Sequence, residues 1–144
     1  MIRISKMTDY ALVILAFLTK EPKQFVQASD IAQNTHVNKP TTAKVLKLLA
    51  KHGLLVSFRG ATGGYKLNRL PEHISVADII QILEGPMAIM ECNLGKENCA
   101  LSKNCEIYAP WNKINTVIFE ALNTIKLSDL YAKATSIPGD VHDQ

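Results

Sequence analysis

Cys92, Cys99 and Cys105 lie in one short segment, with six and then five residues between successive thiols. A structural zinc site usually contains at least one pair of ligands only about two to four residues apart, and this segment has none. Wider spacing suits wrapping a larger object, and an iron-sulfur cluster, with thiolates as its usual ligands, is such an object. The spacing favours a cluster and leaves a zinc site and redox-active thiols open. Three thiols do not complete the four ligands of a cluster. A cluster held this way, and exposed, is labile, which is a liability in an electron carrier and an asset in a sensor.

A second constellation carries different chemistry. From Lys39 to Arg69 the chain has no acidic residue, yet it holds Lys39, Lys44, Lys47, Lys51, Arg59, Lys66 and Arg69. The formal net charge of the whole is only +3, so the charge is segregated: this span is basic, and most of the Asp and Glu follow Pro71. Such a segregated basic span suits the phosphate backbone of nucleic acid, although a charged solvated face produces the same run. The order of elements decides between them.

That order is helix, short turn, basic helix, glycine-rich hairpin. Thr8 to Leu18 reads as a helix with Tyr10, Val13, Ile14 and Phe17 on one face, ended by Glu21-Pro22-Lys23. A short helix follows from Ala28 or Ser29 to Asn34, with Ser29 as a possible cap and Ile31 and Ala32 inward. After the turn Thr35-His36-Val37-Asn38, Asn38 caps a third helix with Pro40 in its first turn, where a missing N–H costs nothing. That helix runs to His52 and Gly53 stops it. Val45, Leu48 and Leu49 form its apolar stripe, which leaves Thr41, Thr42, Lys44, Lys47 and Lys51 outward. Leu54–Phe58 and Tyr65–Leu67 are then two strands joined by Arg59-Gly60-Ala61-Thr62-Gly63-Gly64, a wing.

The second helix of a helix-turn-helix enters the major groove with its N-terminal residues at base edges. Thr41, Thr42 and Lys44 stand there. Lys44 and Lys47 can reach guanine or phosphate, and Arg59 suits a phosphate or the minor groove, with Gly60 and Gly63 allowing close backbone approach. Double-stranded DNA is the expected partner.

Beyond Pro71, Ser75 caps a helix with Val76, Ile79, Ile80 and Leu83 at helical spacing, closed by Gly85-Pro86. The cysteine segment comes next. Pro110 opens a long helix in which Trp111, Ile114, Ile118, Ala121 and Ile125 recur at heptad-like intervals, a stripe too long to serve only its own small core. From Ser136 onward the tail is expected to be disordered.

Other classes find little support. At 144 residues and 47% hydrophobic the chain can bury one core and a small extension. No secretory signal or membrane-length apolar stretch is evident, and an odd number of clustered cysteines fits a reducing cytoplasm. His36, His52, His73 and His142 are scattered, with no two at helical metal-binding spacing. No phosphate loop or nucleophile elbow is present, so neither an enzyme nor a small-molecule substrate is expected.

Together, Lys6-Met7-Thr8-Asp9-Tyr10-Ala11, Pro40-Thr41-Thr42, the wing from Arg59 to Leu67, Val76-Ala77-Asp78-Ile79-Ile80 through Glu84-Gly85-Pro86, and the three cysteines resemble the IscR/NsrR family of winged-helix iron-sulfur regulators. The resemblance reaches to about Leu130. Glu84-Gly85-Pro86 and Ala109-Pro110-Trp111 look most like the branch that regulates SUF iron-sulfur cluster assembly genes. It implies a homodimer whose long C-terminal helices cross, with Cys92, Cys99 and Cys105 at the ligand positions of a [4Fe-4S] or [2Fe-2S] cluster. The IscR pattern adds a histidine three residues after its last cysteine, and here Tyr108 stands there. In the NsrR branch an aspartate from the partner subunit completes the cluster, and Asp9 matches its position, although a first-turn aspartate also serves the helix dipole, and Glu91, Glu97, Glu106 or a solvent molecule could take its place. Cluster state would then control operator binding, most simply as repression, in answer to iron-sulfur demand, redox status or nitric oxide.

The expected fold is mostly α with a small β-hairpin: a winged helix-turn-helix DNA-binding domain at 1–84, a cluster-binding loop at 85–108, a dimerisation helix and short C-terminal helix at 109–135, and a tail at 136–144.

Overall fold

The structure is a computed structural model and describes residues 3–131. The expected tail at 136–144 and the end of the 109–135 segment lie outside the described residues.

Helix α1 spans Lys6–Leu18 and is capped by Ser5, whose hydroxyl accepts from the Thr8 amide. It therefore starts two residues before the Thr8 expected from the sequence. Its buried face is Thr8, Ala11, Ile14, Leu15 and Leu18, rotated from the predicted one: Val13 is 44% exposed and Tyr10 and Phe17 are half-buried. The run Tyr10 to Leu18 is apolar on every side, so periodicity alone cannot choose the face that α3 and α4 cover.

Helix α2 is Ala28–Thr35, and its N-cap is Gln27, which makes no side-chain cap bond; Ser29, the expected cap, lies inside the first turn. His36 ends α2 in the left-handed region at φ 58°. Helix α3, Lys39–Lys51, begins as expected, with Asn38 Oδ1 accepting the Thr41 amide at 2.9 Å and Pro40 in the first turn. Strands β1 (Leu55–Phe58) and β2 (Gly64–Leu67) pair antiparallel from Leu55 with Leu67 to Phe58 with Gly64. A feature without a sequence signal extends this hairpin: Val26 pairs with Tyr65 through reciprocal backbone bonds of 2.9 and 2.8 Å.

Helix α4, Val76–Glu84, has the Ser75 cap, closed into a capping box by Asp78 with both bonds at 3.0 Å. Three short 3-10 turns, Glu91–Leu94, Lys96–Asn98 and Ser102–Asn104, then lead to α5, Tyr108–Thr124, and α6, Leu127–Tyr131.

One core gathers Ile14, Leu15, Ile31, Leu46, Leu49, Leu54, Ile74 and Ile79, all at 0–1% exposure. Leu127 of α6 joins it, fully buried. The chain returns there through Val76 N–H donating to Ile125 at 2.9 Å and Leu127 N–H donating to Ile74 at 2.8 Å. The segment after α5, grouped by sequence with the dimerisation arm, thus packs into the winged-helix core. Helix α5 itself buries no residue completely, and Ile114 and Val117 are 43% and 55% exposed. Among the described residues no helix is long and apolar enough to cross a membrane.

Candidate functional site

The outer side of α3 presents Lys39, Lys44, Lys47 and Lys51, all exposed, with Thr41 half-buried in the first turn. These are the expected lysines in the expected order, spaced along one helix that rests on the core through Val45, Leu46 and Leu49. Thr42 is a correction. Expected at base edges, it is fully buried, and its hydroxyl donates to the Val37 carbonyl at 3.3 Å. One position past Thr41 turns the side chain by about 100° around the helix, onto the face that covers the turn. Its hydroxyl supports the turn between α2 and α3, and Thr41 alone of the pair faces out.

The wing places Arg59 at an exposed tip. Gly60 sits at φ 117°, and Gly63 donates its amide back to Gly60 at 3.1 Å. A Cβ on Gly63 would lie 2.2 Å from the Phe58 carbonyl oxygen, so only glycine lets the loop close there. Both glycines therefore shape the tip that carries Arg59. Phe58, itself 59% exposed, packs at a tilt against Phe25 with ring centroids 5.8 Å apart, and Lys66 lies 4.6 Å over the Phe25 ring. This aromatic and cationic edge extends the basic surface from α3 onto the hairpin.

The cysteines sit on the three-turn strap between α4 and α5. Cys92 is buried inside the first turn, Cys99 follows the second and Cys105 the third, both half-buried, and all three are free thiols. The strap is tied to α5 by two asparagines that sequence reasoning missed. Asn115 accepts from the Ile89 amide at 3.1 Å and donates to the Met87 carbonyl at 3.2 Å. Asn112 accepts from Asn93 at 2.8 Å, and Asn93 in turn accepts the Met90 amide at 3.0 Å. Two asparagines three apart, and so on one side of the helix, were the available signal, because Asn is a poor helix former unless its amide has work to do. Lys96 lies 4.8 Å over the Tyr108 ring, closing the strap onto the start of α5.

Asp9 stands exposed in the first turn of α1, 3.4 Å from Lys6 Nζ. Among the described residues no three His, Cys, Asp or Glu side chains form a metal-sized group. The chain brings the three cysteines onto one strap, therefore, without closing them into a metal-sized group. The donor set suits a soft, thiophilic metal: three unpaired thiols on consecutive turns.

The chain matches the Rrf2 family, iron-dependent transcriptional regulators, over residues 4–133. An HTH-type transcriptional regulator NsrR of Bacillus licheniformis is 32% identical over 130 residues, which are 89% of this chain and 91% of that protein. Among solved structures, CymR, the global cysteine regulator of B. subtilis, superposes with a TM-score of 0.71 at 32% identity, over 91% of this chain and 97% of that one. IscR of T. potens superposes with a TM-score of 0.68 at 28% identity, over 96% and 94%.

Proposed function

The chain belongs to the Rrf2 family of transcriptional regulators and is not an enzyme, and from that premise we propose that it is a cytoplasmic, dimeric repressor whose grip on operator DNA is set by an iron-sulfur cluster on Cys92, Cys99 and Cys105. The observation that carries this reading is the strap: three free thiols on consecutive turns, fastened by Asn112 and Asn115 to the helix best placed to meet a second subunit.

Each part of the chain has a defined task in it. Helix α3 offers Thr41, Lys44 and Lys47 to the major groove, and the wing offers Arg59 to the backbone or the minor groove. Helix α5 leaves Ile114 and Val117 largely uncovered, and Ile114 lines a groove of about 660 Å³ together with Ile80, Trp111 and Ile118. A second copy of α5 is the occupant this apolar surface suits, and dimerisation fixes the spacing of the two α3 helices. The thiolates would hold the cluster, with Asp9 of the partner subunit as the proposed fourth ligand, in either [4Fe-4S] or [2Fe-2S] form. When bound, such a cluster supplies a redox-active, nitric-oxide-reactive and iron-dependent centre. The strap's bonds to α5 then make the state of the cysteines a restraint on the dimer helix, so the two states differ in operator affinity by population shift. The genes of SUF cluster assembly are the proposed targets, from Glu84-Gly85-Pro86 and Ala109-Pro110-Trp111.

A second reading rests on the same thiols being free and ungathered: a zinc or thiol switch in place of a cluster, on the same DNA-binding scaffold. Anaerobic purification followed by visible absorption, iron and sulfide analysis separates the two. A brown protein with stoichiometric sulfide supports the cluster, and a colourless protein, zinc-loaded or metal-free, contradicts it while leaving DNA binding intact.

A further inference from the structure

The wing tip is a glycine-rich loop with little of its own to hold it. Between Arg59 and Gly63 its internal bond is the 3.1 Å contact from the Gly63 amide to Gly60. An arginine on a loose loop loses much of its binding energy to ordering, because the loop must be fixed when DNA arrives. Something outside the loop has to restrain it.

That restraint comes from the segment leading into α2. Val26 acts as a third strand, its amide and carbonyl both bonded to Tyr65. The approach is so close that a Cβ on Gly64 would lie 2.2 Å from the Val26 carbonyl oxygen, and Gly64 is at φ 127°. These bonds hold the base of the hairpin. At the tip, the loop and the start of α2 are separated by an open cleft of about 430 Å³ lined by Phe25, Asp30, Thr62 and Gly63. One side chain spans it: Gln27 Nε2 donates to the Ala61 carbonyl at 2.8 Å. Gln27 is also the N-cap residue of α2, and its carboxamide makes no cap bond there. An exposed glutamine that leaves its own helix uncapped and reaches 34 residues along the chain is spent on the tip.

We infer that Gln27 is a positioning residue for operator binding: its carboxamide fixes the Arg59–Gly63 tip to the start of α2, so that wing and helix-turn-helix meet DNA as one body. The inference rests on the reading of Arg59 as a DNA contact. It makes Gln27 act through Arg59 and not through a contact of its own.

The test is a double-mutant cycle on the full chain. Gln27→Met keeps the length and removes the donor, and Arg59→Ala removes the contact. Binding is followed by fluorescence anisotropy on a labelled duplex recovered from a randomised library by selection on the wild-type protein. Gln27→Met is expected to weaken binding about 3- to 10-fold, the range of one net hydrogen bond. In the Arg59→Ala background the same change is expected to cost less than about 2-fold, because residues that act through one another are not additive. Amide exchange at Gly60–Gly63 in the free protein is expected to speed up in Gln27→Met while that of α3 does not change. Equal losses in both backgrounds would make Gln27 a separate DNA contact and overturn the inference, as would unchanged binding or tip exchange in Gln27→Met. If Arg59→Ala itself binds normally, the reading of the wing fails and the inference falls with it; if only Gln27→Met is silent, the wing reading stands and the inference alone fails.

Discussion

The Ser5 amide donates to Glu84 Oε1 at 3.0 Å, and the Thr8 hydroxyl donates to the same oxygen, so the first turn of α1 is fastened to the last residue of α4. The next residue is Gly85, at φ 89°, where the chain turns away toward the cysteine strap. Asp9 lies one residue beyond Thr8. One carboxylate thus joins the root of the strap to the turn that carries the proposed fourth ligand.

This latch has a pH signature. The Ser5 and Thr8 hydroxyls, with the Ser5 amide, hold the Glu84 carboxyl below the ordinary glutamate value against a small opposing desolvation. A carboxyl lowered in the folded state contributes stability that is fully present above its unfolded value and is lost as pH falls through its folded value. Glu84→Ala is therefore expected to melt a few degrees below wild type at neutral pH, with the gap narrowing through the acid range. Thermal melts followed by circular dichroism from about pH 7 to about pH 3 check this; a gap that stays constant would contradict it.

Thr42 and Thr41 should separate cleanly. Thr42→Val keeps the shape and deletes the hydroxyl bonded to Val37, so it is expected to cost about 0.5–1.5 kcal/mol of stability in urea unfolding. Its operator preference should not change. Thr41→Val should do the reverse, altering preference at one base pair with near-wild-type stability.

How much of this was legible follows from where the information lies. The caps Asn38 and Ser75 and the basic face of α3 are set by residues three or four apart, the hairpin by two short strands and the glycine-rich turn between them, and the structure bears these out. Two misses are local, the Ser5 start of α1 and the Gln27 start of α2, where neighbouring residues compete for one cap position; the others depend on what the element packs against. The buried face of α1 depends on α3 and α4, because Tyr10 to Leu18 offers apolar residues in every direction. Thr42 and Thr41 look alike in sequence, and which of them is buried is decided by the Val37 carbonyl that the Thr42 hydroxyl meets. Val26, Gln27, Asn112 and Asn115 are isolated residues whose partners lie 19 to 39 positions away. The cysteines were found by type and spacing, but spacing along a chain does not state which point in space they surround.

The basic face predicts a salt dependence. Lys44→Ala, Lys47→Ala and Arg59→Ala are each expected to reduce the slope of log affinity against log salt by about 1 if the side chain pairs with a phosphate. A loss of affinity with an unchanged slope would assign that residue to a base edge. Titrations over a range of potassium chloride concentrations distinguish these outcomes.

Leu127 tests whether α6 belongs to the core. It is fully buried among the residues that hold α1 in place. Leu127→Ala is expected to destabilise the fold by about 2–5 kcal/mol in chemical denaturation. A loss below about 0.5 kcal/mol, the range of a surface change, would show that α6 is an appendage.

If the cysteine strap controls the grip on DNA, operator affinity changes with the state of the strap thiols. Anaerobically purified protein and the same preparation after chelation of its metal are titrated against one selected duplex, with Cys92→Ala alongside. The two affinities are expected to lie at least about tenfold apart, a coupling of about 1.4 kcal/mol, with Cys92→Ala matching the chelated protein. Equal affinity for all three would contradict it.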